Sequence, residues 1–224
     1  MLLTRILSAC VLAPLAVVAV YFGGWPFALF WLAAALAVSF EWITLVAKAP
    51  QPQKTLWIGG GVVYAALLLL PALVLRSDVQ LGMQAILFLF AVVWTTDVFG
   101  YFGGRAIGGP KLAVTISPSK TWSGAVSGIA GTAVVIALGA PLLTSRPVPL
   151  VAVAVLLSAV SQVGDLGESA LKRKFGVKDA SRLIPGHGGV MDRIDGFWAA
   201  ALCGTLVGIL RGGFAAPAQG LLIW

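Results

Sequence analysis

Long apolar stretches recur from one end of this chain to the other and leave room only for short connections. Seven windows between charged residues are apolar enough to cross a bilayer, which takes a helix of about 20 residues. They cover residues 2–22, 25–46, 56–75, 80–102, 121–143, 148–168 and 190–210. In hydrocarbon, backbone N–H groups need partners within their own segment, so these stretches should be helical. We therefore expect an all-α, polytopic integral membrane helix bundle of about seven helices, within a range of six to nine.

The composition supports the membrane class and argues against two others. Of the 224 residues, 59% are hydrophobic and 10% are charged, which is too apolar for a water-soluble domain. The formal charge of +7 would suit a nucleic-acid binder, but the sequence has no basic stripe interleaved with exposed aromatic residues. Cys10 and Cys203 lie far apart in apolar stretches, so we expect neither a disulfide nor a zinc site. The apolar stretch continues beyond Cys10, so we expect no cleaved signal peptide.

The distribution of Lys and Arg orients the bundle. With seven spans and a cytoplasmic N-terminus, only Arg76, Arg146 and Arg211 of the 15 Lys and Arg residues fall outside. This asymmetry follows the tendency of positive charge to stay on the cytoplasmic side. We therefore expect two charged loops, residues 103–120 and 169–189, to face the cytoplasm together.

The stretch from Asp165 to Asp195 is the polar exception in this apolar chain. It holds five of the eight acidic residues and the only histidine, His187. Ionisable groups in or beside membrane spans are costly and usually mark a cavity, an ion pair or a reaction site. Asp165 and Glu168 are three residues apart, as are Asp192 and Asp195, so on a helix each pair should project from one face. Two such pairs would offer the oxygen-rich surroundings that suit Mg2+.

Two more carboxylates, Glu41 and Asp97, also fall in or near predicted spans, and basic side chains surround the acidic pairs. The basic residues are Lys172, Arg173, Lys174, Lys178, Arg182 and Arg193. They form either a solvated surface that attracts anionic lipid headgroups or a set of ligands for substrate phosphate. Phosphoryl or nucleotidyl transfer needs metal and cations together, because both neutralise charge on the leaving group.

Glycines mark two further features. Gly188 and Gly189 follow His187, and a backbone without side chains can approach a phosphate closely. We place the histidine in the site without assigning it a proton transfer, although a lone histidine is usually structural. Small residues also recur at every fourth position in Gly100–Gly108 and in Gly124–Thr132, a spacing typical of closely packed helices. For the first set, approach to a ligand is an equal alternative.

Two segments carry a family resemblance. The 27 residues from Ser169 to Asp195 begin Ser-Ala-Leu-Lys-Arg and end Leu-Ile-Pro-Gly-His-Gly-Gly-Val-Met-Asp-Arg-Ile-Asp. They resemble the signature of the phosphatidate cytidylyltransferase, or CDP-diacylglycerol synthase, family. A second segment, from Asp97 to Trp122, includes Ile-Ser-Pro-Ser-Lys-Thr-Trp and resembles another characteristic stretch of that family. Where relatives usually have charged residues, this chain has Ser119 and Ser123.

The resemblance implies a membrane enzyme that converts CTP and phosphatidic acid, a membrane lipid, into CDP-diacylglycerol and pyrophosphate. It implies Mg2+ as the cofactor, with K+ as a candidate second cation. The implied metal ligands are Asp165, Asp192, Ser169 and Asp195. The catalytic candidates are Asp165, Asp192, Lys172, Arg193 and His187. The candidates for binding CTP and phosphate are Arg105, Lys111, Ser117, Lys120, Arg173, Lys178, Gly188 and Gly189.

On this interpretation, residues 1–90 supply N-terminal membrane helices and residues 91–224 form the catalytic membrane region. We expect an active site facing the cytoplasm of a bacterial inner membrane. A two-fold homodimer is the default assembly, although no residue here specifies it. The alternatives are a CTP-dependent lipid kinase and an ion or phosphate transporter. Transporters often carry repeated halves, and the pattern from Asp165 to Asp195 has no second copy in this sequence.

Overall fold

Seven long helices form most of the computed structural model, which describes residues 2–47, 49, 53–181, 183–184 and 188–224. They are α1 (Leu2–Phe22), α2 (Gly24–Val46), α3 (Gln53–Arg76), α4 (Gly82–Ile107), α5 (Trp122–Gly139), α6 (Pro147–Lys174) and α7 (Met191–Gly212). A 3-10 turn, Ala140–Leu142, extends α5, and a short helix α8 (Pro217–Leu222) follows α7. Two strands, β1 (Lys111–Ala113) and β2 (Ser117–Thr121), connect α4 to α5.

The helices have the length and the composition of membrane spans. Within the described residues, six of them, α2 to α7, are long and apolar enough to cross a bilayer. In α1 the apolar helix with described side chains, Cys10–Phe22, is shorter. The polytopic helix bundle is therefore confirmed, and the six span-like helices of the described residues lie within the predicted range of six to nine.

Two helices run further than the apolar windows predicted. The structure continues α4 to Ile107 and α6 to Lys174, so both predicted loops begin as helix. Charge ends an apolar window but not a helix, because Lys and Arg are good helix formers and favourable near a helix C-terminus. The predicted division between residues 90 and 91 falls inside α4. The division into two regions stays a prediction.

A hairpin occupies the rest of the first predicted loop, which the all-α prediction did not include. Its strands are antiparallel, with Lys111 opposite Thr121. Gly108 and Gly109 have φ angles of 67° and 96°, a left-handed conformation that glycine adopts without strain, and they turn the chain out of α4. The Thr121 side chain caps α5 by accepting the N–H of Gly124 over 3.1 Å. The hairpin is thereby attached to a helix at each end.

Glycines allow α4 and α5 to pack with their backbones close together. A β-carbon on Gly124 would lie 2.8 Å from the carbonyl oxygen of Gly100, and one on Gly128 would lie 2.8 Å from that of Thr96. The packing role of the second small-residue set is therefore confirmed. In the first set, a β-carbon on Gly104 would lie 3.3 Å from the α-carbon of Gly124, and Gly100 lines a cavity. Packing therefore accounts for part of the first set, and approach of its backbone to a ligand stays a prediction.

Another glycine brings α6 and α7 together beside their acidic residues. A β-carbon on Gly164 would lie 2.8 Å from the carbonyl oxygen of Asp195 and 2.6 Å from the β-carbon of Ala199. Gly164 directly precedes Asp165 on α6. The close helix crossing therefore places the carboxylate-bearing segments of α6 and α7 side by side.

Candidate active site

A polar cavity of about 600 Å³ lies between α4, the hairpin, α5 and α6. Its charged wall residues are Asp97, Arg105, Lys111, Lys120 and Asp165. Glycines of α4 and α5 expose backbone in the same wall. The cavity thus combines three cations with two carboxylates, as binding of an anionic ligand together with a metal ion would require.

Asp165 joins α6 to the hairpin. One of its oxygens forms an ion pair with Lys120, and the hydroxyl of Ser169 lies 3.4 Å from the other. The side chains of Lys120 and Asp165 are 27% and 31% exposed, so the pair is open to the cavity. An ion pair with this much solvent access contributes little stability, about 1 kcal/mol or less. A ligand can therefore separate the two charges at small cost.

Asp192 has a different environment, in a buried network that connects α6, α7 and the loop before α7. Lys172 forms an ion pair with one oxygen of Asp192 and another with Glu168, the latter over 3.0 Å. The second oxygen of Asp192 accepts the N–H groups of Gly189 over 2.8 Å and Ala180 over 3.0 Å. Both oxygens of Asp192 therefore have protein partners.

The two carboxylates of α6 do not share one environment, contrary to our prediction that they project together. Asp165 faces the polar cavity, whereas Glu168 borders a second cavity of about 540 Å³ whose wall is mostly apolar. Residues three apart on an α-helix differ in direction by about 60°. The side of α6 that faces the polar cavity therefore carries Asp165 but not Glu168. Within the described residues, one oxygen of Glu168 has no hydrogen-bond partner.

The donor set around Asp165 fits a hard cation. The described residues contain no group of three or more Asp, Glu, His or Cys side chains that would hold a metal ion by themselves. Mg2+ commonly takes one or two carboxylates and fills its remaining positions with water and substrate phosphates. Asp165 and Ser169 supply such oxygens beside the cavity. Asp195 lies on the first turns of α7, where one oxygen accepts the N–H of Gly196 over 2.8 Å.

The other predicted site residues that the structure describes are spread over the cavity wall, the hairpin and the exposed surface. Arg105 lines the cavity and donates to the Tyr101 hydroxyl over 2.9 Å. Arg173 donates to the carbonyl of Ile116 in the hairpin turn over 3.2 Å, so it ties α6 to the hairpin. Ser117 pairs with Ala113 across the hairpin. Lys178 and Arg193 are exposed, and His187 and Arg182 lie outside the described residues.

Gly188 and Gly189 lie against carboxylates in this structure. A β-carbon on Gly188 would be 2.8 Å from an oxygen of Asp192, and one on Gly189 would be 2.7 Å from an oxygen of Glu41. Gly188 also has a φ of 87°, which favours glycine. The two glycines therefore let the loop backbone approach acidic side chains. Their predicted contact with phosphate stays a prediction.

Some neighbours of the site were not predicted as site residues. Tyr101 and Gln162 line the polar cavity. Tyr101 lies in the second segment of the family resemblance but was not chosen as a site residue, and Gln162 belongs to no motif. Glu41 accepts hydrogen bonds from the segment that precedes Asp192, although the two are far apart in the chain. Its position inside an apolar span was the available signal. Ser123, which departs from the family pattern, donates to the carbonyl of Gly108 and so joins the end of α4 to the start of α5.

Sequence comparisons relate this chain to known proteins. A family model described as the cytidylyltransferase family matches residues 3–77 and 62–209. A phosphatidate cytidylyltransferase of Brucella abortus biovar 1 is 40% identical, over 96% of this chain and 94% of its own length. One from Rickettsia bellii is 34% identical, over 85% of this chain and 84% of its own length. One from Bacillus subtilis is 42% identical over 126 residues, which cover 55% of this chain and 46% of its own.

Proposed function

Because the chain belongs to the cytidylyltransferase family, we propose that it is a membrane nucleotidyltransferase that makes CDP-diacylglycerol and pyrophosphate from CTP and phosphatidic acid. The observation that carries the proposal is the polar cavity, in which the pair of Lys120 and Asp165 lies with Arg105 and Lys111 in one wall. A membrane bundle with such a cavity suits a reaction between a water-soluble anion and a lipid phosphate.

The cations of the cavity wall suit the triphosphate of CTP. Arg105 comes from α4, whereas Lys111 and Lys120 come from the two strands of the hairpin. A volume of about 600 Å³ is within the usual range for small-molecule sites, roughly 300–1,000 Å³. When Lys120 binds a phosphate, its contact with Asp165 loosens, which leaves the carboxylate available to a cation.

The outer surface beside the cavity suits the acyl chains of phosphatidic acid. On α4, Val98, Phe99 and Phe102 are exposed, and on α5 so are Trp122 and Val126. Both helices are long and apolar enough to cross a bilayer, so we expect these exposed side chains to face lipid. A phosphatidic acid headgroup can therefore reach the cavity while its chains stay in the bilayer.

The proposed chemistry is direct transfer. An anionic oxygen of the phosphatidate phosphate attacks the α-phosphorus of CTP, a new P–O bond forms, and the bond to the β-phosphate oxygen breaks with departure of pyrophosphate. The attacking oxygen carries no proton that must be removed, so no strong general base is required. Arg105, Lys111 and Lys120 hold the phosphates in line and neutralise the charge that develops on the leaving group.

The predicted cofactor fits the oxygen donors of the site. Asp165 and Ser169 would hold Mg2+, with Asp192 and Asp195 as the further predicted ligands and K+ as the candidate second cation. Bound there, Mg2+ would supply additional neutralisation of the pyrophosphate charge. Lys172 forms ion pairs with both Asp192 and Glu168 and so holds these two carboxylates together in the buried network.

We further propose that the cavity faces the cytoplasm of a bacterial inner membrane, where CTP is present. The hairpin follows α4, and the loop before α7 follows α6. Helices α4 and α6 run in the same direction through the seven-helix bundle. The hairpin and that loop therefore lie at the same end of the bundle. The relatives named above are bacterial. The homodimer stays a prediction.

Labelled CTP tests the proposed reaction. Purified protein is incubated with phosphatidic acid, Mg2+ and CTP labelled either at the α- or at the γ-phosphate. Cytidylyl transfer places the α-label in the lipid product and releases the γ-label in pyrophosphate. Transfer of the γ-label to lipid would instead indicate the lipid kinase, and label-free lipid with ion flux in vesicles would indicate the transporter. Family membership favours neither alternative.

A further inference from the structure

Glu41 is the only charged residue in the sequence of α2, and its side chain is completely buried, with 0% exposure. A buried carboxylate without partners is strongly destabilising, so its contacts indicate why it is there. The Ser181 hydroxyl donates to one oxygen over 2.6 Å, and the Val190 N–H donates to the same oxygen over 2.8 Å. The Met191 N–H donates to the other oxygen over 2.7 Å. All three donors belong to the segment immediately before Asp192.

These contacts cap the start of α7 from another helix. The first N–H groups of an α-helix have no partner within the helix, and a side chain usually accepts them. The residue before α7 is Val190, whose apolar side chain makes no capping hydrogen bond. Glu41 supplies the acceptor from α2 instead. Its negative charge also lies favourably at the positive end of the helix dipole.

The backbone N–H groups that Glu41 accepts lie next to Asp192 in both sequence and space. Met191 is fully buried, so the backbone between the two carboxylates is held by packing as well as by hydrogen bonds. Gly188 leaves no room for a β-carbon against Asp192, and Gly189 leaves none against Glu41. A displacement of Glu41 would therefore displace the loop and, with it, the first turn of α7.

We propose that Glu41 is a positioning residue that fixes the start of α7 and thereby the orientation of Asp192 in the active site. The inference rests on the proposed function. Glu41 is not among the residues that line the polar or the apolar cavity, so it acts through α7 and does not touch substrate. Asp192 depends on this anchor because its own contacts, with Lys172 of α6 and Gly189 of the loop, require α7 to begin at a fixed place.

Asp78 provides a matched control at the opposite end of the bundle. It is also buried, and it accepts the N–H groups of Gln80 and Leu81 with one oxygen and those of Ala218 and Gln219 with the other. It therefore anchors the starts of α4 and α8 as Glu41 anchors that of α7. The 26 residues of α4 separate this end from the hairpin by about 39 Å.

The experiment compares Glu41→Gln and Glu41→Ala with Asp78→Asn in the full-length protein. We measure the unfolding temperature, kcat and KM for CTP per folded molecule, and amide hydrogen exchange.

Glu41→Gln should lower kcat by about 10- to 100-fold, the usual effect of removing a group that orients a metal ligand. Glu41→Ala should lower it further, because alanine keeps no acceptor. KM for CTP should change less than kcat, since the hairpin cations remain in place. Asp78→Asn should lower the unfolding temperature but leave kcat unchanged.

The outcomes separate positioning from stability. Wild-type kcat in folded Glu41→Gln and Glu41→Ala protein would overturn the inference, as would an equal loss of kcat in Asp78→Asn. If the Glu41 variants do not fold, Ser181→Ala provides the test, because it removes one of the donors to Glu41. A reduced kcat at an unchanged unfolding temperature supports the inference. Wild-type kcat overturns it.

A wild-type protein that makes no CDP-diacylglycerol would refute the proposed function, and hydrogen exchange would then test the anchor alone. Faster exchange at Val190 and Met191 in Glu41→Gln, but not in Asp78→Asn, supports the anchor. Unchanged exchange at these two amides overturns it.

Discussion

Lys120 on β2 and Asp165 on α6 form an ion pair that joins the hairpin to the membrane helices at the wall of the polar cavity. An anion that binds Lys120 competes with Asp165, and a cation that binds Asp165 competes with Lys120. Binding of either ligand therefore weakens the Lys120–Asp165 ion pair, which otherwise disfavours binding of the other ligand. We expect CTP and Mg2+ to bind cooperatively, and by linkage each should tighten the affinity for the other by the same factor. Titration of CTP at several Mg2+ concentrations measures this factor, and independent binding would contradict it.

The first prediction concerns the cation of this pair. Lys120→Ala should raise KM for CTP about 10- to 100-fold, because a charge-assisted hydrogen bond to phosphate is worth roughly 1.5–3 kcal/mol. The unfolding temperature should change little, since the ion pair is partly exposed. Arg146→Ala is the matched control, because Arg146 is exposed and precedes α6 at the opposite end. Equal effects of both variants on KM would show that only overall charge matters.

The second prediction separates the two principal carboxylates by their environments. Asp165→Asn and Asp192→Asn should both abolish measurable CDP-diacylglycerol formation. Only Asp192→Asn should also destabilise the fold, because it weakens a buried ion pair, although Lys172 keeps Glu168 as its other partner. Activity assays with thermal or denaturant unfolding of each variant provide the measurement. Near-normal turnover of either variant would refute its assignment as a predicted metal ligand.

The third prediction concerns Mg2+ and the hydroxyl beside Asp165. Chelation should abolish activity, and added Mg2+ should restore it. Ser169→Ala removes the hydroxyl that lies 3.4 Å from Asp165 and should raise the Mg2+ concentration for half-maximal activity about tenfold or more. Ser145→Ala is a suitable control, because Ser145 is exposed in the connection between α5 and α6. An unchanged Mg2+ requirement in Ser169→Ala would remove Ser169 from the proposed ligand set.

The fourth prediction tests close packing of α4 against α5. Gly124→Val should lower both stability and activity, because even its β-carbon would lie 2.8 Å from the Gly100 carbonyl oxygen in the cavity wall. The same substitution of Gly139 in α5 should have little effect, since no atom lies within 4 Å of a β-carbon there. Unfolding temperatures and turnover in the same membrane mimetic compare the two. A stable, active Gly124→Val protein would show that the helices tolerate separation.

Local sequence patterns predicted the bundle, and the family resemblance added most of the charged residues of the cavity wall. Apolar length is a property of each segment alone, so α2 to α7 could be recognised without knowledge of their neighbours. Arg105, Lys111, Lys120 and Asp165 were all predicted as site residues, and the structure brings them to one cavity. The hairpin was missed because its strands are only three and five residues long and lack an alternating apolar pattern.

The sequence by itself determined that this is a polytopic membrane protein with carboxylates and cations gathered near two connections, because hydropathy and charge are carried by neighbouring residues. Only the tertiary structure decided how those carboxylates are used. Asp165 faces the open cavity, Asp192 is held in a buried network, and Glu41 caps α7 from 149 residues before Val190. The physical reason is that a carboxylate's role depends on which donors and how much solvent surround it. Packing of distant helices sets both.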